Sequence, residues 1–193
     1  MGEFEVGQFA QRLVEHYLST LAGWTLLRLP AGEAALQRLE RENTGPAVVP
    51  ISDVGRQNGT MIWYSVSHYL RRARDDPDFQ VVHARLGLEM AIVSLHASIQ
   101  SEGGFDHGPD LEFLRHLRNA VAHGNRFELR NGEPRRDAYS ENYSIPPQRF
   151  EVTKHAHERP ALFEFLGPGD VCDLLNSIGS RLIVIGNEAG ETL

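Results

Sequence analysis

A mainly α-helical fold, a bundle of about five helices with a small β-hairpin inserted before the last one, is what this sequence predicts. Three observations carry the prediction. Apolar residues recur at the helical period through the first two thirds of the chain, the period drops to two after Gly124, and the helical period returns after Pro168. With 193 residues, 41% of them apolar, the chain has the usual size of one domain and enough apolar material for one core. Residues 1–193 are therefore read as a single domain with a polar insert at about 126–166. No internal repeat or low-complexity block interrupts it.

The elements follow in order. Phe9, Leu13, Tyr17 and Leu21 recur every four residues and predict a helix over about 4–22, ended by Gly23. A shorter helix opens at Pro30 and Gly32, places Leu36 and Leu39 on one side and closes at Gly45-Pro46. Pro46, Pro50, Gly55 and Asn58-Gly59 make 46–59 a loop. Thr60 is a candidate cap for a helix through Trp63, Val66, Tyr69 and Leu70 to about Ala73, and Asp75-Asp76-Pro77 stops it. Residues 78–100 form the most apolar stretch: Val82, Leu86, Met90 and Leu95, with Leu88, Ile92 and Val93, cover much of the circumference, as expected of a central buried helix. Gly103-Gly104 breaks the chain. Pro109 then suits the first turn of a helix reaching about His123, with Gly124 as its terminator. Three segments alternate at period two, namely 126–129, 149–152 and 162–165, and read as short strands of an elaborated surface hairpin. Pro168 and Asp170 start the last helix, through Val171, Leu174, Leu175, Ile178, Leu182 and Ile185, before a frayed tail at 187–193.

Charge and composition narrow the function. The net charge of −7 gives no general field toward nucleic acid or anionic membrane, so any RNA contact is local. Such a locality exists. Residues 111–136 hold six arginines against three glutamates, a net +3, while the remainder carries −10. Of 19 basic residues only Lys154 is lysine, a bias read as genome composition rather than phosphate binding. One cysteine, Cys172, excludes an intrachain disulfide and a cysteine-based metal site. Met1-Gly2-Glu3-Phe4-Glu5 is acidic where a signal peptide is basic, and no apolar run approaches the roughly 18 residues of a membrane span. The expectation is a cytoplasmic protein without a membrane partner.

Chemistry concentrates in 114–125, Leu-Arg-His-Leu-Arg-Asn-Ala-Val-Ala-His-Gly-Asn. At about 100° per residue, Phe113, Leu114, Leu117, Ala120 and Val121 share one face of a helix. Glu112, Arg115, His116, Arg118, Asn119 and His123 occupy the other. Asn119 and His123 are one turn apart, so the amide can hold the imidazole, and Arg115 and Arg118 can receive a phosphate. Arginine followed five positions later by histidine arises by chance about once in a chain of this composition, whereas the added asparagine lowers that to roughly 0.03.

Arg118-Asn119-x3-His123 on a glycine-ended helix, after several preceding helices, resembles the HEPN superfamily, small all-α domains whose signature is Arg-(polar)-x3-His on a late helix. The specific likeness covers about residues 111–129. It implies a homodimeric, metal-independent endoribonuclease without a cofactor, a toxin or antiphage effector in many members. Arg118 and His123 would be the catalytic pair and Asn119 would orient the ring. Arg115, His116, Asn125 and Arg126 are the neighbouring candidates for binding RNA. An antitoxin or regulatory protein is a further expected partner, with one departure: some toxin members carry tyrosine two positions after the histidine, where the antitoxin adds a nucleotide, and here that position is Asn125. The insert exceeds a minimal HEPN bundle and suits a recognition element or dimer arm.

The chemistry stands without the name. Cleaving RNA through its 2′-hydroxyl needs a base, an acid and positive charge on the crowded phosphate. Two copies of Arg118 and His123 across a two-fold axis supply all three without a metal, and histidine offers both protonation states near neutrality. Other readings stay open. The motif can be a non-catalytic HEPN-type module that binds nucleotide, RNA or a protein, an antitoxin or structural partner, or a set of caps and salt bridges in which Glu112 pairs with Arg115 or His116. Arg71, Arg72 and Arg74 read as a solvated face balanced by Asp75 and Asp76. His155-x-His157 reads as exposed rather than metal-binding. Trp63, Tyr64 and Tyr69 read as core or interface.

Overall fold

The computed structural model describes residues 2–42, 66–103 and 108–190. The chain runs α1 (Glu3–Arg28), α2 (Pro30–Glu42), α3 (Val66–Asp75), α4 (Pro77–Ser101), α5 (Pro109–Ala122), β1 (Tyr139–Glu141), β2 (Arg149–Glu151) and α6 (Pro168–Gly190). It is mainly helical, with a two-stranded antiparallel hairpin before the last helix, as the sequence predicts. The expected loop at 46–59, the Thr60 cap, Trp63, Tyr64 and Gly104 lie outside the described residues.

Two compact units divide the chain, one of residues 1–17 and 85–193, the other of 18–84. In the smaller unit α2 packs on α3, and Leu36 and Ala73 are buried. Its arginines are matched by carboxylates: Arg71 meets both oxygens of Glu40 at 2.9 and 2.8 Å, Arg72 meets Asp76 at 2.8 Å, and Arg74 meets Glu33. That is the balanced face expected of them, with Glu40 and Glu33 added to the two aspartates.

The larger unit holds the main core. Val6, Ala10 and Val14 of α1, Leu88, Ile92 and Leu95 of α4, Phe113, Leu114 and Leu117 of α5, and Val171, Leu174, Leu175 and Ile178 of α6 are all buried. Backbone meets backbone where α1 crosses α6. A Cβ on Gly7 would stand 2.6 Å from the Gly179 carbonyl oxygen, and one on Gly179 would stand 2.9 Å from that of Gly7. Neither glycine can be enlarged without parting the helices.

Several local expectations are corrected. Gly23 does not end α1, because a helical glycine costs only about 1 kcal/mol and this one is exposed with open space at its Cβ. The break comes at Leu29, since the residue before a proline disfavours helical backbone. Only one side of α4 is buried: Val82, Leu86, Met90 and Val93 on the other side are exposed, and Val81, nearer the helix start, is exposed as well. Segment 126–129 makes a single antiparallel bridge, Arg126 to Pro160. β2 pairs instead with β1, whose three residues are too few for an alternation signal, in the register Ser140 opposite Phe150. Segment 162–165 is a tight turn, not a strand, with Phe163 at φ 73° and the Phe163 N–H donating to the Leu166 carbonyl at 2.7 Å. The tail expected from 187 is helical as far as Gly190.

The insert is less superficial than its polarity suggests. Phe127, Ala138, Phe150, Val152, Ala161 and Leu162 are buried. Phe165 gathers Phe127, Phe150 and Phe113 around it at centroid distances of 5.2, 6.1 and 6.4 Å. Aromatic packing thus ties the insert to α5.

Candidate functional site

α5 begins with Pro109 in its first turn and ends at His123, whose backbone N–H reaches the carbonyls of Asn119 and Ala120. Gly124 follows at φ 72° and Asn125 at φ 68°, and the Asn125 N–H donates to Ala120 O at 2.7 Å. This six-to-one closure is the glycine stop that the sequence predicts. It turns the chain at once, so that His123 projects from the helix end with half its side chain exposed.

Asn125 is buried and structural in its contacts. Its Nδ2 donates to Leu162 O at 3.0 Å, its Oδ1 accepts the Leu162 N–H at 2.8 Å, and its own carbonyl accepts the Ala161 N–H at 2.9 Å. Both backbone groups of Leu162 are thereby satisfied, which leaves it no ladder to join and explains the turn at 162–166. The insert is pinned two residues from His123.

The first turns of α5 are occupied internally. Glu112 is buried, takes Arg115 Nε at 2.7 Å and lies 3.7 Å from Arg136. Arg115 also donates to His116 Nε2 at 3.2 Å. Burial, with Arg115 beside it, pushes His116 down to about 4, so the ring is neutral and accepts. Arg118 donates to Asn119 Oδ1 at 3.3 Å. His96 of α4 lies close to this face: burial first, then Arg118 and Arg115, hold it below the usual histidine range.

The candidate residues therefore divide. Arg115 and His116 form one cluster with Glu112, Arg118 and Asn119 form a pair, and Asn125 holds the insert. Only His123 and Arg126 line a cavity together. That cavity, about 730 Å³, is also walled by Glu128, Arg130, His157 and Glu158. The partner of the His123 ring is Glu128, whose Oε2 lies 3.3 Å from Nδ1, and not the Asn119 amide, which is engaged with Arg118. Sequence reasoning missed Glu128 and set His157 aside. The signal was present: alternation buries Phe127 and Leu129, which turns Arg126, Glu128 and Arg130 to the other side.

Among the described residues no group of three His, Cys, Asp or Glu side chains gathers as a metal site, and no helix is long and apolar enough to cross a membrane. No family model, curated protein or solved structure matches the chain.

Proposed function

We propose that the chain is a metal-independent endoribonuclease that cleaves RNA through the RNA's own 2′-hydroxyl at a composite site built by two copies. The observation that supports it is an exposed histidine at the turn ending α5, beside a cavity with two arginines and five residues beyond Arg118. His123 of one copy takes the 2′-hydroxyl proton, O2′ bonds to phosphorus, the P–O5′ bond breaks, and the departing oxygen takes a proton from the second copy's His123. A 2′,3′-cyclic phosphate and a 5′-hydroxyl result. Arg118 balances the charge on the crowded phosphate.

The homodimer draws support from α4. Leu86, Met90 and Val93 are exposed and, at about 100° per residue, lie on one stripe of that helix. His96, which feels Arg118 and Arg115, sits a few residues along the same helix. Two such stripes meeting would bury apolar surface and bring two motif faces near each other. A toxin or antiphage role, and restraint by an antitoxin or regulatory protein, rest on the same chemistry.

Purified protein incubated with total cellular RNA in EDTA tests the reading. Cleavage to 2′,3′-cyclic phosphate ends, lost in His123→Ala and Arg118→Ala, is the expected result. Retained RNA binding without cleavage would favour a non-catalytic binding module instead. A strictly monomeric particle by light scattering in the presence of RNA would remove the composite site.

A further inference from the structure

The cavity beside His123 holds a second imidazole whose neutral tautomer is selected by the backbone. The Leu129 N–H donates to His157 Nδ1 at 3.2 Å. A nitrogen that accepts a hydrogen bond carries no proton, so a neutral His157 bears its proton on Nε2. The pairing that sets this is local and specific: Phe127 N–H donates to Arg159 O at 3.1 Å and Glu158 N–H to Phe127 O at 2.8 Å, which places 126–129 against 157–160. Glu158, at φ 63°, turns the chain at that point. The Glu158 carbonyl takes Arg126 Nη1 at 2.8 Å, so one guanidinium of the cavity wall is held in place.

The opposite tautomer is favoured at His123. A carboxylate 3.3 Å from Nδ1 attracts the ring proton to that nitrogen and leaves Nε2 with its lone pair. The cavity thus presents one ring as a base and the other as a donor. Arg126 and Arg130 balance Glu128 and Glu158 in formal charge. What favours a phosphate group here is therefore the placement of donors rather than net charge.

We propose that Glu128 and His157 belong to the His123 site: Glu128 is a positioning residue that keeps the His123 proton on Nδ1, and His157 is a donor whose Nε2–H reaches a phosphate oxygen of a phosphodiester lodged in the cavity. The phosphodiester rests on the ribonuclease reading. The two ring states do not.

Long-range ¹⁵N–¹H correlation spectra of the full chain, recorded above the histidine titration range, test both parts. In the wild type His123 is expected mainly as Nδ1–H and His157 as Nε2–H. Glu128→Ala should shift His123 toward Nε2–H by up to about fivefold, the scale of an exposed ion pair, and Glu128→Gln, which still offers an acceptor oxygen, should restore part of the bias. A His123 proton on Nε2 in the wild type, or a population that Glu128→Ala leaves unchanged, overturns the positioning role. A dinucleoside monophosphate with a 2′-deoxy sugar, which cannot be cleaved, is the probe for the second part. It should move the His157 ring signals and bind about tenfold more weakly to His157→Asn, whose amide can still accept from Leu129. Unmoved His157 signals overturn the donor role. Absence of RNA cleavage with both ring states and probe binding as expected would remove the ribonuclease reading alone and leave a phosphodiester-binding site.

Discussion

The two ends of α5 are built from the same residue types and behave in opposite ways. Near its start, Glu112, Arg115 and His116 interlock: the carboxylate takes one guanidinium nitrogen, another reaches the ring, and burial keeps the ring neutral. At its end, His123, Arg126 and Glu128 stand at the rim of a cavity, and the His123 and Glu128 side chains are 51% and 60% exposed. A glutamate, an arginine and a histidine within a few residues do not by themselves make a reactive site. The start has matched its charges inside the fold and has little left to offer a substrate, while the end keeps a ring nitrogen and guanidinium groups facing open space.

That contrast breaks most visibly in catalysis. His123→Ala and Arg118→Ala should each lower RNA cleavage by about 10² to 10⁴-fold with little change in melting temperature, because His123 is exposed and Arg118 is only half-buried. His116→Ala should do the reverse, lowering the melting temperature through a buried cavity while sparing the chemistry at His123. Cleavage rates and thermal melts on the same preparations check the split, and equal losses of activity at His116 and His123 would erase it.

The next effect is a pH dependence set chiefly by the buried histidine at the start of the helix. Histidine in the unfolded chain titrates near 6.5, and His116 in the fold near 4. Between these values the unfolded chain binds a proton that the folded one refuses, so stability is fully present above about pH 6.5 and falls as pH drops toward 4, by about 3 kcal/mol at most. His96, lowered for the same first reason, adds loss in the same direction. Denaturant midpoints measured across this window should slope downward toward acid in the wild type and more gently in His116→Gln.

Much of this was legible in the sequence, and the misses share a cause. Helical periods, Pro109 at a first turn and Gly124 as a stop depend on neighbours in the chain, and the sequence displays them. What failed depends on partners far away. The 162–165 alternation looks like a strand until Asn125 takes both backbone groups of Leu162. α4 reads as a central buried helix because its apolar residues cover much of its circumference, but only Leu88, Ala91, Ile92, Leu95 and Ile99 are buried. At the site, the helical wheel separates an apolar from a polar face, but Glu112 and His116 of the polar one are buried, Asn119 meets Arg118, and the ring of His123 meets a residue beyond the helix.

Asn125 is the joint between the end of α5 and the insert, and its loss ranks third. Asn125→Ala removes two buried hydrogen bonds and strains a position at φ 68°, for about 2 kcal/mol or more. Asn125→Gly relieves the strain and keeps the loss of the amide, so it should be the milder of the two. Urea denaturation orders them. A fall in cleavage in Asn125→Gly at temperatures where it stays folded would show that the insert must be pinned for Arg126 and His157 to line the cavity.

The smallest effect is the sharpest comparison, because it sets one glutamate against another. Glu112 is 5% exposed and is held by Arg115, itself a third exposed, so Glu112→Gln leaves a guanidinium poorly matched at the edge of the core and should cost about 1 kcal/mol. Glu128 meets His123 in water, where such pairs contribute a few tenths of a kcal/mol or nothing measurable. Glu128→Gln should therefore leave the melting temperature within error of wild type while altering cleavage. The buried glutamate would then register in stability and the exposed one in rate. If Glu128→Gln instead destabilised the fold as much as Glu112→Gln, the His123–Glu128 contact would be a structural pair like the one at the other end of the helix, and the contrast between the two ends would lose its basis.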